Sequence, residues 1–182
     1  MKKLGAMVAV LMVILGTAGC TPGGGPSSDP PWSPTPIVWP TPPMTDEEKG
    51  SVDAVQKYLE VSNDIEQHLA DADWNRIRDV ATEPAVNDAL IIWTQWNSKG
   101  WHMEGTPIFE LNYVNSGMMN SEGNRYHVNG CLVITDTRLV DRDGNQVGDR
   151  RSDRNVVEFL VLRRASDGAY RVMENVLKDG TC

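Results

Sequence analysis

The chain has 182 residues with 17 basic and 25 acidic side chains, a net charge of −8 that becomes −10 beyond residue 20 because Lys2 and Lys3 precede it. That acidity excludes non-specific binding to nucleic acid or to anionic lipid headgroups, which needs clustered Lys and Arg. Nine of the eleven prolines fall between Pro22 and Pro43, so a compact body is confined to residues 44–182, a length suited to one domain and too short for two.

Met1-Lys2-Lys3 leads into an apolar run from Leu4 to Leu15. The run is shorter than the roughly 20 residues a membrane-spanning helix needs, so residues 1–19 read as an export signal. The following Thr17-Ala18-Gly19-Cys20 resembles the lipobox of bacterial lipoproteins, with Thr17 at the place usually held by leucine. The resemblance implies cleavage before Cys20, a diacylglycerol group on its sulfur, and acylation of the new amino terminus. Two or more acyl chains give lasting attachment, which makes the membrane a partner and the extracytoplasmic face of the cell membrane the expected location. Residues 20–43 then form a linker: after Cys20 they carry one charge, Asp29, and no hydrophobic period. Proline there removes donors and fixes φ, which predicts a partly polyproline II spacer.

The body opens with Thr45-Asp46-Glu47-Glu48, a capping box, followed by Val52, Val55, Tyr58, Leu59, Ile65 and Leu69 at helical spacing. Asp71 or Asp73 starts a second, short helix with Trp74, Ile77 and Val80 on one face. Pro84 suits the first turn of a third, which carries Ala85, Ala89, Ile92, Trp93 and Trp96 and closes at Gly100. The period then changes. Residues 101–115, 125–140, 154–165 and 169–177 read as four strands, with Asp143-Gly144 and Asp167-Gly168 as hairpin signals. Helices first and antiparallel strands afterwards predict an α+β fold with the helices on one face of a bent sheet. Alternation puts Tyr126, Val128, Leu132 and Ile134 on the inner face, and His127, Asn129, Cys131, Val133 and Thr135 on the outer.

With Cys20 committed to lipid, two cysteines are left, Cys131 and Cys182. In an oxidising compartment the pair suits a disulfide that pins the terminal residue. The alternative is two free thiols, one in a strand and one on a frayed tail.

The helix segment DADWNRIRDVATEPAV, the strand and hairpin NGCLVITDTRLVDRDGNQV and the closing DGAYRVMENVLKDGTC resemble the nuclear transport factor 2-like superfamily, specifically its lipoprotein branch in actinobacteria and their phages. The resemblance implies a cone-shaped α+β domain over residues 44–182, three helices on a curved antiparallel four-stranded sheet enclosing a cavity. That fold hosts enzymes, transport factors and non-catalytic binding domains, so it fixes no activity.

The histidines His68, His102 and His127 show no metal-ligand spacing, and Asp141-Arg142-Asp143-Gly144-Asn145 has its glycine fourth where a calcium loop needs it sixth. Phosphate loops, dinucleotide fingerprints and nucleophile elbows are missing, so no cofactor is expected. Enzymes with the cone fold use a cavity carboxylate to move a proton. Asp136, in register with Tyr126 and Ile134, is the candidate acid or base, and Tyr58 and Tyr113 are candidate hydroxyl donors. Trp93, Trp96 and Tyr126 are candidates for lining a ligand pocket, with plain core as the competing reading. The resulting expectation is a lipid-anchored extracytoplasmic protein that binds an envelope protein or a small apolar ligand without catalysis. The family analogy adds superinfection exclusion as one such envelope role. An isomerase or dehydratase built on Asp136, and a structural envelope accessory, are the alternatives.

Overall fold

Thr45 opens the first helix as its spacing to Glu48 predicts. Its Oγ1 accepts from the Glu48 amide at 3.2 Å, and the Glu48 carboxylate accepts from the Thr45 amide at 2.7 Å. The structure, a computed structural model, describes residues 43–148 and 153–182. The signal segment, Cys20 and the linker through residue 42 lie outside the described residues. Helix α1 runs Asp46–Gln67, with three acidic residues in its first turn opposing the positive end of the helix dipole. Asp73 caps a single 3-10 turn, Trp74–Arg76, that passes directly into α2, Ile77–Val80. Helix α3, Ala85–Lys99, follows Pro84 and stops at Gly100, whose φ of 70° is the left-handed conformation that ends a helix.

Six strands follow where four long runs are expected. The first run divides into β1, His102–Glu104, and β2, Ile108–Asn120; the second into β3, Gly123–Val133, and β4, Arg138–Val140. The remaining two are β5, Arg154–Arg164, and β6, Tyr170–Leu177. Pro107 lacks the donor a continuous strand would need, and a turn closed by the Thr137 amide on the Ile134 carbonyl (3.0 Å) interrupts the second run. The offcuts β1 and β4 pair with each other. The main sheet is four-stranded and antiparallel in the order β2-β3-β5-β6.

In β3, Tyr126 and Val128 are buried and Leu132 packs against the core as the alternation predicts, while Asn129 and Cys131 of the outer set are buried as well. From β5 come Val157, Phe159 and Val161, opposite Gly130, Val128 and Tyr126. Register shifts at Leu111/Tyr113, Ser116/Met119 and Leu160/Val161 insert extra residues, and such bulges bend and twist a sheet. Helix α1 lies along the inner face in contact with all four strands of the main sheet. The core between them holds Val55, Ile65, Ile77, Val86, Trp93, Phe159, Val161 and Val172, each 1% exposed or less. Tyr58 and Phe109 meet the Phe159 ring edge-on, with centroids 6.1 and 5.5 Å away. The molecule is thus α+β, three helices on one face of a curved antiparallel sheet.

The other face is held by the C-terminal tail. Beyond β6 the Lys178 amide donates to the Val156 carbonyl and the Lys178 ammonium meets Glu158 at 3.2 Å. The tail then reaches Cys131, where a disulfide joins Cys131 to Cys182.

Candidate functional site

The apolar stripe of α1 is interrupted by polar residues. Tyr58, Ser62 and Glu66 succeed one another four residues apart, so they share a face, and Asn63 adjoins it. That face looks toward α3 and the sheet across unfilled space: a partly enclosed cavity of about 200 Å³. On the α3 side, Ala85 and Ala89 are too small to close the gap, Ile92 and Trp93 wall it, and Asp88 is an exposed carboxylate beside it. Met103 and Pro107 approach from the β1–β2 segment, Leu132, Ile134 and Thr137 from the end of β3 and its turn, and Asn175 from β6. The wall is therefore mainly hydrocarbon, with four of its polar residues along α1 and Asp88, Thr137 and Asn175 contributed by other elements.

Two hydrogen bonds organise those polar groups. The Trp93 indole N–H donates to Glu66 Oε1 at 3.1 Å, and the Asn175 side-chain amide donates to Tyr58 Oη at 2.8 Å. Burial pushes the Glu66 carboxyl up from its ordinary 4.5 to about 7, against the opposing pull of the Trp93 bond. Burial first, and the neighbouring Glu66 second, push the Tyr58 hydroxyl up to about 12. Asn63 Oδ1 is buried and has no hydrogen-bond partner. A buried acceptor left unpaired costs about 1–3 kcal/mol, which a donor placed there would recover. Gln67 Nε2 donates to the Gly105 carbonyl at 2.6 Å, tying the end of α1 to the loop that carries Pro107.

Of the residues singled out from the sequence, Tyr58 and Trp93 meet at this cavity. The others lie elsewhere. Asp136 is on the exposed turn after β3, because the strand stops at Val133 and the alternation counted through it stops too. Tyr113 is 53% exposed on the outer face: an extra residue, Asn112, bulges from β2 and sets Tyr113 opposite Asn129 where unbroken pairing would set it opposite Val128. Tyr126 sits toward the other end of α1, donating to Glu47 Oε2 at 3.0 Å. Trp96 packs half-buried against the core away from the cavity wall. Cys20 lies outside the described residues.

Glu66, Ser62, Asn63, Asp88 and Asn175 escape the sequence reading. For Ser62 and Glu66 a signal existed, since polar residues recurring every four positions inside an apolar stripe mark a helix face with something polar to meet. Among the described residues no group of three or more His, Cys, Asp or Glu side chains could hold a metal ion. The Asp141–Asn145 loop turns its donors on itself: Asp141 Oδ1 accepts from the Asp143 and Asn145 amides, both at 2.9 Å. The Asn145 amide, with further loop donors, holds the Asp141 carboxyl below its ordinary value. No described helix is long and apolar enough to cross a membrane.

No protein-family model matches the chain, and no curated protein matches it. Among solved structures, the intermembrane space region of the chloroplast protein ARC6 is similar over 74% of this chain and 98% of that one, at 14% identity and a TM-score of 0.50. Aln2 from a Streptomyces species aligns over 74% of this chain and 92% of its own at 9% identity, with a TM-score of 0.41. The beta subunit of the benzoate 1,2-dioxygenase from Burkholderia mallei aligns over 69% and 89% at 11% identity, with a TM-score of 0.35. The first of these likenesses is one of fold.

Proposed function

We infer that this is a lipid-anchored, extracytoplasmic binding protein whose nuclear transport factor 2-like domain holds a small, mainly apolar ligand in the cavity between α1, α3 and the sheet. The observation that carries the reading is the cavity itself: hydrocarbon walls with a few converging polar groups are the usual make-up of a small-molecule site. The lipobox-like Thr17–Cys20 segment and the proline-rich linker support the anchoring.

Two measurements test the two halves. Replacing Ala89 by Leu fills the cavity from the α3 side. Small aromatic compounds should raise the melting temperature of the native protein, by about 2.7 kcal/mol of stabilisation at a hundred times Kd, and should leave the Ala89→Leu variant unmoved. Equal shifts in both would place binding elsewhere. For the anchor, Cys20→Ala should move the protein from the detergent phase to the aqueous phase, and unchanged partitioning would refute it.

A catalytic reading has one observation in its favour. Glu66, with its carboxyl near 7 and Tyr58 beside it, is the sort of acid or base that moves protons on a bound apolar substrate. On that reading Glu66→Gln abolishes turnover of any substrate found, while binding persists.

A further inference from the structure

We propose that the ligand of this cavity is a small organic ammonium ion, its apolar body against Trp93 and Ile92 and its charged N–H donors on Glu66 and the unpaired Asn63 Oδ1. This rests on the reading of the cavity as a binding site and specifies its chemistry.

Three features of the wall point the same way. The first is charge: Glu66 and Asp88 border the cavity, and none of the described residues lining it is Lys, Arg or His. A carboxylate or phosphate ligand would enter with nothing to neutralise it and two acidic groups against it. The second is hydrogen-bond type. Asn63 Oδ1 is an acceptor without a donor, and the Trp93 indole engages only one oxygen of Glu66, so the polar wall asks for N–H or O–H groups. An ammonium supplies three. The third is the company of aromatic residues, since Tyr58 and Trp93 both line the cavity and aromatic rings attract cations. A space of about 200 Å³ suits a body on the order of ten non-hydrogen atoms, smaller than a drug-sized ligand.

Binding of a cation should depend on pH through Glu66. Trp93 from α3 bonds to it, Tyr58 from α1 feels its charge, and Asp88 from α3, Asn175 from β6 and Met103 from β1 line the same cavity. Tyr58, held up at about 12, keeps its proton throughout. Glu66 loses its own as pH rises through about 7, which strengthens attraction for an ammonium and leaves a neutral ligand nearly unaffected.

The test uses the full chain in detergent and three probes of similar size: phenethylammonium, phenethyl alcohol and phenylacetate, titrated by calorimetry. The ammonium should bind saturably and at least about tenfold tighter than the alcohol, with phenylacetate weakest. Its affinity should rise several-fold between about pH 5.5 and pH 8. Glu66→Gln should remove the pH dependence and about tenfold of the ammonium affinity while sparing the alcohol, and Asn63→Leu should weaken both. Saturable binding with the alcohol or phenylacetate preferred, or ammonium affinity indifferent to Glu66→Gln, overturns the ammonium assignment and leaves the cavity a binding site. Failure of all three probes to bind overturns both.

Discussion

Glu66 holds its proton more tightly in the folded chain than in the unfolded one, because burial penalises the carboxylate and the Trp93 indole only partly compensates. A group whose folded value is raised contributes no penalty below about pH 4.5. It then costs stability progressively as pH climbs to about 7, and the cost is constant above that. The full cost is on the order of 3 kcal/mol. Urea unfolding of the native protein and of Glu66→Gln across that range should therefore show a widening gap in favour of the variant, flat beyond neutrality; a gap that does not change with pH would contradict the burial of this carboxyl. Gly130 supports a second prediction. A Cβ there would stand 2.3 Å from the Phe109 ring and 2.5 Å from the Glu110 carbonyl oxygen, so the ring crosses directly over the glycine. Gly130→Ala should cost about 1–3 kcal/mol by overpacking, seen as a lowered melting temperature. How far these residues are legible varies with the physics that places them. Tyr58 and Trp93 follow from helical spacing alone. Asp136 and Tyr113 do not, because a strand end and a one-residue bulge depend on pairing with a neighbour the local sequence does not display.

At the scale of elements, local chemistry sets the helix boundaries. The Thr45–Glu48 box, Asp73 and Gly100 each act within a few residues of themselves, and each lies where its side chain or φ requires. Asp167-Gly168 turns β5 into β6 through bonds of the Gly168 amide to Arg164 and of the Arg164 amide to Ala169. The β2–β3 hairpin is harder to read. Its turn, residues 121–122, carries no Asn-Gly or Asp-Gly pair and is held by Asn120 Oδ1 accepting from the Glu122 and Gly123 amides. The disulfide belongs to this scale as well, since it fastens the tail after β6 to the outer face of β3 across 51 residues. Opening it with Cys182→Ala should cost up to roughly 4 kcal/mol in the chain-entropy model. Chemical denaturation of the oxidised native protein against the variant measures this, and overlapping curves would show that the tail adds nothing.

For the molecule as a whole, the order of elements was enough to specify three helices on one face of an antiparallel sheet. A cavity was implied by the family resemblance, but its place and lining were not legible, because it lies where Ala85 and Ala89 on one element fall short of Leu132 and Asn175 on others. The absence of filling side chains is a property of the assembled layers. The acidity of the chain continues to the cavity, bordered by Glu66 and by the exposed Asp88. Native mass spectrometry of the full-length protein purified from its own cells, compared with Ala89→Leu purified in parallel, tests the central claim most directly. The account predicts a stoichiometric small-molecule adduct on the native protein that is missing from the variant. An adduct of the same mass and occupancy on both proteins would contradict it.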